Sequence, residues 1–302
     1  MESKFLIVAG SEKSGTTSLF QYLSDTDLFR VSQKKETDYL RGRGISMDGY
    51  LENFDRSSNL DSSFYLEASP GYLADSDIVS KNVEVMGVNR RVLVFLLRSP
   101  IKRLISSFLF HKTRLYIPEK LSFEKYVDLC FQYNDGVLPD ELGLKEWFLR
   151  VPDAGMYYKH LTDFSEIDRN DIGVYTFDEF IRNPRAVVVA VLALCDGSFK
   201  LASEYEFHVS NETQGYKYRW LQYVVLKVNK TLEGFFYTFP SIKRFLKSIY
   251  GVVNGSAKEN VTIPLITRQR LKDYYSVDIL KLVEEGFISH EIGQKWIKDF
   301  GV

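Results

Sequence analysis

The sequence is poor in the residues that build metal sites, disulfides and membrane spans. It has two cysteines and four histidines, with no C-x-x-C pair and no cysteine or histidine partner at metal-ligand spacing. We expect Cys130 and Cys195, which lie in apolar contexts, to be buried free thiols. The longest apolar run, Ala186–Cys195, is about half as long as a membrane span. These absences argue against a disulfide framework, a zinc module and a transmembrane protein.

An excess of charge of either sign is also lacking. With 39 Lys and Arg against 40 Asp and Glu, the net charge is -1, so no global field attracts nucleic acid. The 45% hydrophobic and 26% charged composition is that of a soluble globular protein. We predict a single domain over residues 1–302, with a helical C-terminal part from about 215 to 302. The opening apolar run is too short for a signal-peptide core, so we expect a cytoplasmic location.

The segment Phe5–Leu19 is the most informative part of the sequence. The apolar residues Phe5–Ala9 predict a buried strand, and Leu19, Tyr22 and Leu23 recur at helical spacing. The loop between them is rich in Gly, Ser, Thr and Lys, and it would place backbone N–H groups at a helix N-terminus. Such a terminus has unpaired donors and a partial positive charge, so it attracts phosphate. The pattern therefore predicts an anion site.

The loop differs from a nucleoside-triphosphate loop, which reads G-x-x-x-x-G-K-[ST]. Gly10 and Gly15 have this spacing, but Thr16 stands where the lysine belongs, and the lysine is Lys13 inside the loop. A plain glycine turn before a core helix is the simpler interpretation.

Lys13–Leu19 resembles the P-K-[ST]-G-T-T-x-L signature of sulfotransferases that use 3'-phosphoadenosine 5'-phosphosulfate (PAPS), with Glu12 in place of the usual proline. The resemblance implies that Lys13 contacts the donor and its sulfonyl group and acts in catalysis. The donor-binding loop residues that it implies are Lys13, Ser14, Gly15, Thr16, Thr17 and Ser18.

A second motif follows the clearest strand of the sequence, Arg90–Leu97, which has six apolar residues in a row, as in a parallel strand covered on both faces. Ser99 as N-cap and Pro100 at the first helical position predict a helix directly afterwards. The sequence from Arg98 onwards resembles the family's R-[ND]-P-x-x-R-x-x-S-x-[YF] signature. This resemblance implies that Arg98 and Ser106 bind the 3'-phosphate of the donor; an ordinary salt bridge is the simpler role for such an arginine.

Two further segments resemble the acceptor side of the family's site. Lys35–Leu40 matches K-E-x-x-[FY]-[FL] of the carbohydrate-type branch, in which the glutamate, here Glu36, is the proposed general base. Phe64–Tyr72 alternates like a strand, ends in a Pro-Gly turn and matches Y-x-E-x-[ST]-P-x-Y. Glu67 has a second interpretation, a local cap or ion pair. The acceptor-binding residues implied by these segments are Lys35, Glu67 and Ser69.

The region 217–250 has seven basic residues against Glu233 alone, interleaved with aromatic residues. Its apolar spacing predicts two amphipathic helices with basic opposite faces. We interpret them as solvated helix faces, with contact to an acceptor or to a membrane surface as the alternative. The preceding loop resembles, with poor spacing, the family segment that closes over the donor. That resemblance implies that Lys217 and Arg219 contact the 3'-phosphate or adenine and that His208 is structural.

Together these motifs predict an α/β fold, a three-layer sandwich in which a P-loop-like parallel sheet is flanked by helices, with a helical C-terminal region. The chain resembles the carbohydrate, heparan-sulfate-type and prokaryotic-type branch of the PAPS-dependent sulfotransferases. The resemblance implies sulfonate transfer from PAPS, without a metal, to a hydroxyl, or as a second choice an amine, of a saccharide or glycolipid acceptor. The alternatives are a P-loop kinase, which would need a lysine after Gly15 and an acidic metal ligand, and a non-catalytic nucleotide-binding protein.

Overall fold

The protein is represented by a computed structural model that describes residues 4–26, 28–54, 64–86, 90–137, 145–195, 205–207, 215–232, 239–257 and 259–302. The chain divides into two compact units. The first comprises Met1–Leu104, Arg150–Asn211 and Leu265–Val302, and the second comprises Ile105–Leu149 and Glu212–Pro264. The predicted C-terminal helical part is thus shared between both units. His208, predicted to be structural, lies outside the described residues.

The described segments contain seven strands and thirteen α-helices, with short 3-10 turns between some of them. In chain order they are β1 (Lys4–Gly10), α1 (Thr16–Ser24), β2 (Arg30–Val31), α2 (Met47–Leu51), β3 (Phe64–Ala68), α3 (Ser76–Val85), β4 (Arg90–Leu97), α4 (Pro100–Thr113), α5 (Phe123–Asn134), α6 (Glu146–Leu149), α7 (Tyr157–Leu161), β5 (Ile172–Thr176), α8 (Phe177–Arg182), α9 (Pro184–Cys195), β6 (Gly215–Tyr216), α10 (Arg219–Thr231), α11 (Pro240–Asn254), β7 (Gly255–Ser256), α12 (Leu265–Glu284) and α13 (His290–Lys298).

The first unit is built on a parallel sheet with the strand order β2-β3-β1-β4-β5. Strand β1 is central, and Leu6 lies opposite Leu66 of β3 and Val92 of β4. Every side chain from Val92 to Leu97 is buried, which explains the uninterrupted apolar run of β4. The parallel order brings the carboxyl ends of all five strands to one edge of the sheet.

Helices cover both faces of this sheet. On one face, Leu19 of α1 and Val188 of α9 belong to the same buried cluster as Leu6 and Val94 of the sheet. On the other face, Phe95 packs on Phe164, with 5.2 Å between the ring centroids. Each fully buried aliphatic or aromatic side chain contributes about 1.5–3 kcal/mol. The predicted α/β sandwich with a parallel sheet is confirmed.

The second unit contains the later part of α4 together with α5, α6, α10 and α11. Phe108 of α4 packs on Phe123 and Tyr126 of α5, with ring centroids 5.4 and 5.2 Å apart. Strands β6 and β7 pair antiparallel and join the start of α10 to the end of α11. Helices α10 and α11 are the two helices predicted in the region 217–250.

One local prediction, the N-cap of α4, needs correction. Ser99 precedes α4 as predicted, and its carbonyl accepts the Arg103 N–H at 2.9 Å. Its buried hydroxyl, however, has no hydrogen-bond partner among the described residues, so it does not act as an N-cap.

Cys130 and Cys195 are buried and unpaired by disulfides, as predicted. Within the described segments, we find no helix with enough apolar length to cross a bilayer. The same segments contain no cluster of three or more His, Cys, Asp or Glu side chains arranged to hold a metal ion.

Candidate active site

The carboxyl edge of the parallel sheet collects the predicted site residues of the first unit. The phosphate-type loop follows β1, the Glu36 loop follows β2, Ser69 follows β3, and Arg98 follows β4. Open parallel sheets bind ligands at this edge because the loops there converge above the strand ends. The sequence-derived residues from four separate segments are therefore neighbours in the fold.

The loop after β1 ends at Gly15, which has a φ of 91° and forms the N-cap of α1. A β-carbon at this position would lie a tight 3.2 Å from the ring of Phe177, and the positive φ itself favours glycine. Ser14, Thr16 and Ser18 are buried, while Lys13 and Thr17 are partly exposed. The opening N–H groups of a helix have no acceptor within it, so the start of α1 can donate to an anion.

Arg98 lies directly beside this loop. Its Nη1 donates to the Lys13 carbonyl at 3.0 Å, and its guanidinium carbon lies 4.6 Å from the centroid of the Phe177 ring. Burial lowers the pKa of Arg98 from its ordinary value. Its Nε has no hydrogen-bond partner among the described residues, and neither does the adjacent Ser99 hydroxyl. The site therefore holds a guanidinium and a hydroxyl with unused donors next to the loop.

The loop that carries Glu36 is fastened on both sides of this residue. The Lys35 carbonyl accepts the Ala68 N–H at 3.2 Å, and the Ser69 hydroxyl accepts the Asp38 N–H at 3.1 Å. The Glu36 side chain is 57% exposed, and its Oε1 pairs with Lys35 Nζ at 2.7 Å. An exposed ion pair of this kind contributes at most about 1 kcal/mol, so an incoming acceptor could separate it at little cost.

Glu67, by contrast, is completely buried beneath this loop. Its Oε1 accepts from the Tyr50 hydroxyl at 2.6 Å, and its Oε2 accepts from the hydroxyls of Thr37 and Ser69. Burial raises the pKa of Glu67, while hydrogen bonds from Thr37, Tyr50 and other hydroxyls act in the opposite direction. This network ties β3 to the Glu36 loop, as in the alternative interpretation that Glu67 pairs locally.

Glu12, which stands where the family has proline, has an unusual electrostatic environment. Its side chain reaches solvent, yet protein atoms surround it closely enough that desolvation raises the pKa of its carboxyl. Arg103 and Lys13 oppose this rise, and Glu36 adds to it. Two carboxylates, Glu12 and Glu36, thus lie within electrostatic reach of each other at the carboxyl edge.

The remaining predicted residues belong to the second unit. Ser106 is buried on α4. Lys217 is exposed, and its N–H donates to the Asn254 carbonyl at 2.8 Å. Arg219 is exposed and forms a 3.4 Å ion pair with Glu119. The donor contacts predicted for these three residues stay predictions.

Three residues support the site without having been assigned to it from the sequence. Phe177, at the start of α8, packs against both Gly15 and Arg98. The Tyr157 hydroxyl donates to the Arg98 carbonyl at 2.7 Å. Arg103 is buried, and its Nη2 donates to the Val151 carbonyl. Phe177 and Tyr157 come from segments far along the chain, and no local motif marks them.

The sequence matches no protein-family model, and no curated protein is detectably similar to it. Among solved structures, the crystal structure of a sulfotransferase from Alicyclobacillus acidocaldarius superimposes with a TM-score of 0.63 at 16% identity, over 97% of this chain and 100% of that one. The protein therefore shares the fold of that sulfotransferase.

Two looser matches have TM-scores too low to establish a common fold. A sulfotransferase domain from the curacin biosynthetic pathway has a TM-score of 0.39 at 15% identity, over 66% of this chain and 76% of that one. Retinol dehydratase in complex with androsterone and the inactive cofactor PAP has a TM-score of 0.38 at 12% identity, over 99% of this chain and 81% of that one.

Proposed function

We propose that this protein is a sulfotransferase that moves a sulfonate group from PAPS to a hydroxyl group of an acceptor. The observation that supports this most directly is the position of Arg98. Its guanidinium lies against the anion loop, and both its Nε and the Ser99 hydroxyl are buried without a partner among the described residues. A nucleotide with a second phosphate, apart from the one at the loop, would satisfy these donors.

The residues present fit such a donor. The N–H groups at the start of α1, together with Lys13 and the hydroxyls of Ser14, Thr16, Thr17 and Ser18, suit the 5'-phosphosulfate. Arg98 suits the 3'-phosphate, because a guanidinium can form two parallel hydrogen bonds with it. Gly15, with its φ of 91°, lets the loop turn directly into α1.

PAPS would supply the sulfonate and a phosphate leaving group. Glu36 would accept the proton of the acceptor hydroxyl as its oxygen bonds to sulfur. Lys13 and the loop N–H groups would stabilise the negative charge that grows on the 5'-phosphate as the bridging S–O bond breaks. Glu67 would hold the Glu36 loop in place from below rather than contact the acceptor.

The acceptor side is the finer part of the proposal. The resemblance of Lys35–Leu40 to the carbohydrate-type branch favours a saccharide or glycolipid, with Lys35 at the acceptor side of the edge. Ser69, predicted to bind the acceptor, is fully buried and bonded to Asp38 and Glu67, so it would hold the Glu36 loop instead. The exposed position of Glu36 leaves room for a large acceptor. A P-loop kinase is less compatible with the loop, because Thr16 stands where such a kinase needs its lysine.

The donor assignment predicts a ligand preference that a thermal-shift measurement can test. We expect 3'-phosphoadenosine 5'-phosphate to stabilise the protein more than adenosine 5'-phosphate or ATP, because only the first has a 3'-phosphate. At about a hundred times its dissociation constant a ligand adds about 2.7 kcal/mol to the free energy of unfolding. Arg98→Ala should abolish the preference for the 3'-phosphate.

The test compares nucleotides with and without a 3'-phosphate on the same variant. This comparison is needed because Arg98 also donates to the Lys13 carbonyl, so its loss could weaken the binding of both nucleotides equally. Arg90→Ala is the matched control, since Arg90 begins the same strand at the opposite edge and pairs with Asp171 at 3.2 Å. This control should keep the preference. The assignment of Arg98 to the 3'-phosphate would be contradicted if ATP stabilised the protein as much as 3'-phosphoadenosine 5'-phosphate does. It would also be contradicted if Arg98→Ala kept the preference for the 3'-phosphate.

A further inference from the structure

Helices α10 and α11 of the second unit expose the side chains that amphipathic helices normally bury. On α11, large apolar side chains recur every three or four residues, and all of them are exposed. They are Ile242, Phe245, Leu246, Ile249, Val252 and Val253. On α10, Trp220, Tyr223, Val224 and Val228 are exposed at the same helical spacing. We call these ten residues the outer apolar face.

The buried side chains of the two helices are polar. Gln222 is the buried residue of α10, and Asn254 is the buried residue among the described side chains of α11. The Tyr250 hydroxyl donates to Gln222, which donates to the Thr113 carbonyl at 2.5 Å. Asn254 donates to the Tyr250 hydroxyl at 2.8 Å and accepts the Tyr218 N–H at 2.7 Å. The helices are joined through hydrogen bonds.

Such an arrangement is the reverse of a water-soluble helical hairpin, in which the apolar face packs inward. Apolar side chains exposed singly are normal in soluble proteins, whereas rows of them at helical spacing mark interaction sites. The hydrogen bonds of the buried Gln222 and Asn254 hold the polar face of each helix inward, because turning the apolar face inward would break them. The outer apolar face is therefore a stable feature of the second unit.

The charge of the helices identifies the partner. The sequences of α10 and α11 contain six lysines and arginines and no aspartate or glutamate, although the whole protein has a net charge of -1. Lys227, Lys230 and Lys247 are exposed beside the apolar residues. Helices that combine Trp, Phe and Leu with lysine lie in the plane of a bilayer surface, and anionic lipids attract the lysines.

We infer that α10 and α11 dock the protein onto an anionic lipid bilayer, with the outer apolar face in the headgroup region. α11 has 15 residues, too few to cross a bilayer, so the helices lie on the surface. The inference is independent of the sulfotransferase proposal. It takes up the membrane-surface alternative for this region rather than solvated helix faces, because large apolar side chains are exposed along both helices.

Co-sedimentation with lipid vesicles tests the inference on the full chain. Wild-type protein should bind vesicles of phosphatidylcholine with phosphatidylserine, bind far less to phosphatidylcholine alone, and dissociate as salt is raised. Val252→Asp should weaken binding at least about tenfold, because it removes apolar contact and adds a charge that the anionic surface repels. Binding unchanged by Val252→Asp would overturn the inference.

Val85→Asp is the matched control. Val85 is 75% exposed and Val252 is 79% exposed, each in the last turn of its helix, but Val85 belongs to the first unit. Val85→Asp should bind vesicles like wild type, and both variants should melt near the wild-type temperature. If Val252→Asp unfolds, Phe245→Ser gives the same test. A dimer that these substitutions dissociate, without vesicle binding by the wild type, would show that the face covers a second copy of the chain and refute lipid docking.

Discussion

Replacing Lys13 with alanine should lower the turnover of PAPS on the order of a hundredfold or more, with a smaller loss of donor affinity. The ammonium serves the transition state more than the ground state, since negative charge accumulates on the bridging oxygen only as the S–O bond breaks. The loop should keep its shape, because the hydrogen bond from Arg98 goes to the Lys13 carbonyl and not to the side chain. The measurement is the rate of 3'-phosphoadenosine 5'-phosphate release under saturating donor, together with the donor dissociation constant.

Lys34→Ala is the control for this prediction. Lys34 is an exposed lysine in the neighbouring Glu36 loop, so its removal changes the local charge by the same amount. Its turnover should stay within a few fold of wild type. Equal losses of turnover and affinity in Lys13→Ala would mean that Lys13 only binds the donor.

Glu36→Gln should reduce sulfonate transfer at least about a hundredfold while donor binding persists. A sugar hydroxyl is a poor nucleophile at neutral pH, and a correctly placed general base contributes about a hundred to ten thousandfold. Glutamine keeps the shape of the side chain but cannot accept the proton. Because the loop is held through the backbone of Lys35 and Asp38, the substitution should leave its position unchanged.

Glu67→Gln tests whether Glu67, rather than Glu36, is the general base. An amide in place of the buried carboxylate would disturb acceptance from Thr37, Tyr50 and Ser69, at a cost of about 1–3 kcal/mol of stability. Its turnover per folded molecule should remain close to wild type. If Glu36→Gln transfers normally and Glu67→Gln or Glu12→Gln does not, the base lies elsewhere and the Glu36 loop is only a wall of the site.

The sheet could be predicted because its strands have the simplest sequence signature. A strand covered on both faces needs apolar residues at every position, and Phe5–Ala9 and Val92–Leu97 meet this requirement. The order of strands at one edge then follows from parallel connections, which bring Lys13, Glu36 and Arg98 together although 85 residues separate Lys13 from Arg98. The residues that lie around the loop could thus be predicted from the sequence.

The sequence could not show which side chains are buried or which residues they bond to. The spacing of Glu67 and Ser69 resembles an acceptor segment, but only the fold shows that Tyr50 and Thr37 enclose Glu67. Phe177 supports Gly15 through tertiary packing that leaves no local pattern. Periodicity shows which residues of α10 and α11 share a face, yet it does not show whether that face is covered. Ser99 likewise has the residue type of an N-cap without the hydrogen bond.

Incubation of the protein with PAPS, ATP and a mixture of saccharides and glycolipids tests the central claim most directly. Mass spectrometry of the acceptors and quantification of the nucleotides measure which donor is consumed. We predict that PAPS is converted to 3'-phosphoadenosine 5'-phosphate in equal amount to a sulfonated acceptor, that ATP remains intact, and that Lys13→Ala slows the conversion about a hundredfold or more. Consumption of ATP with a phosphorylated product would contradict the account in favour of a kinase, and consumption of neither would leave a nucleotide-binding protein without transferase activity.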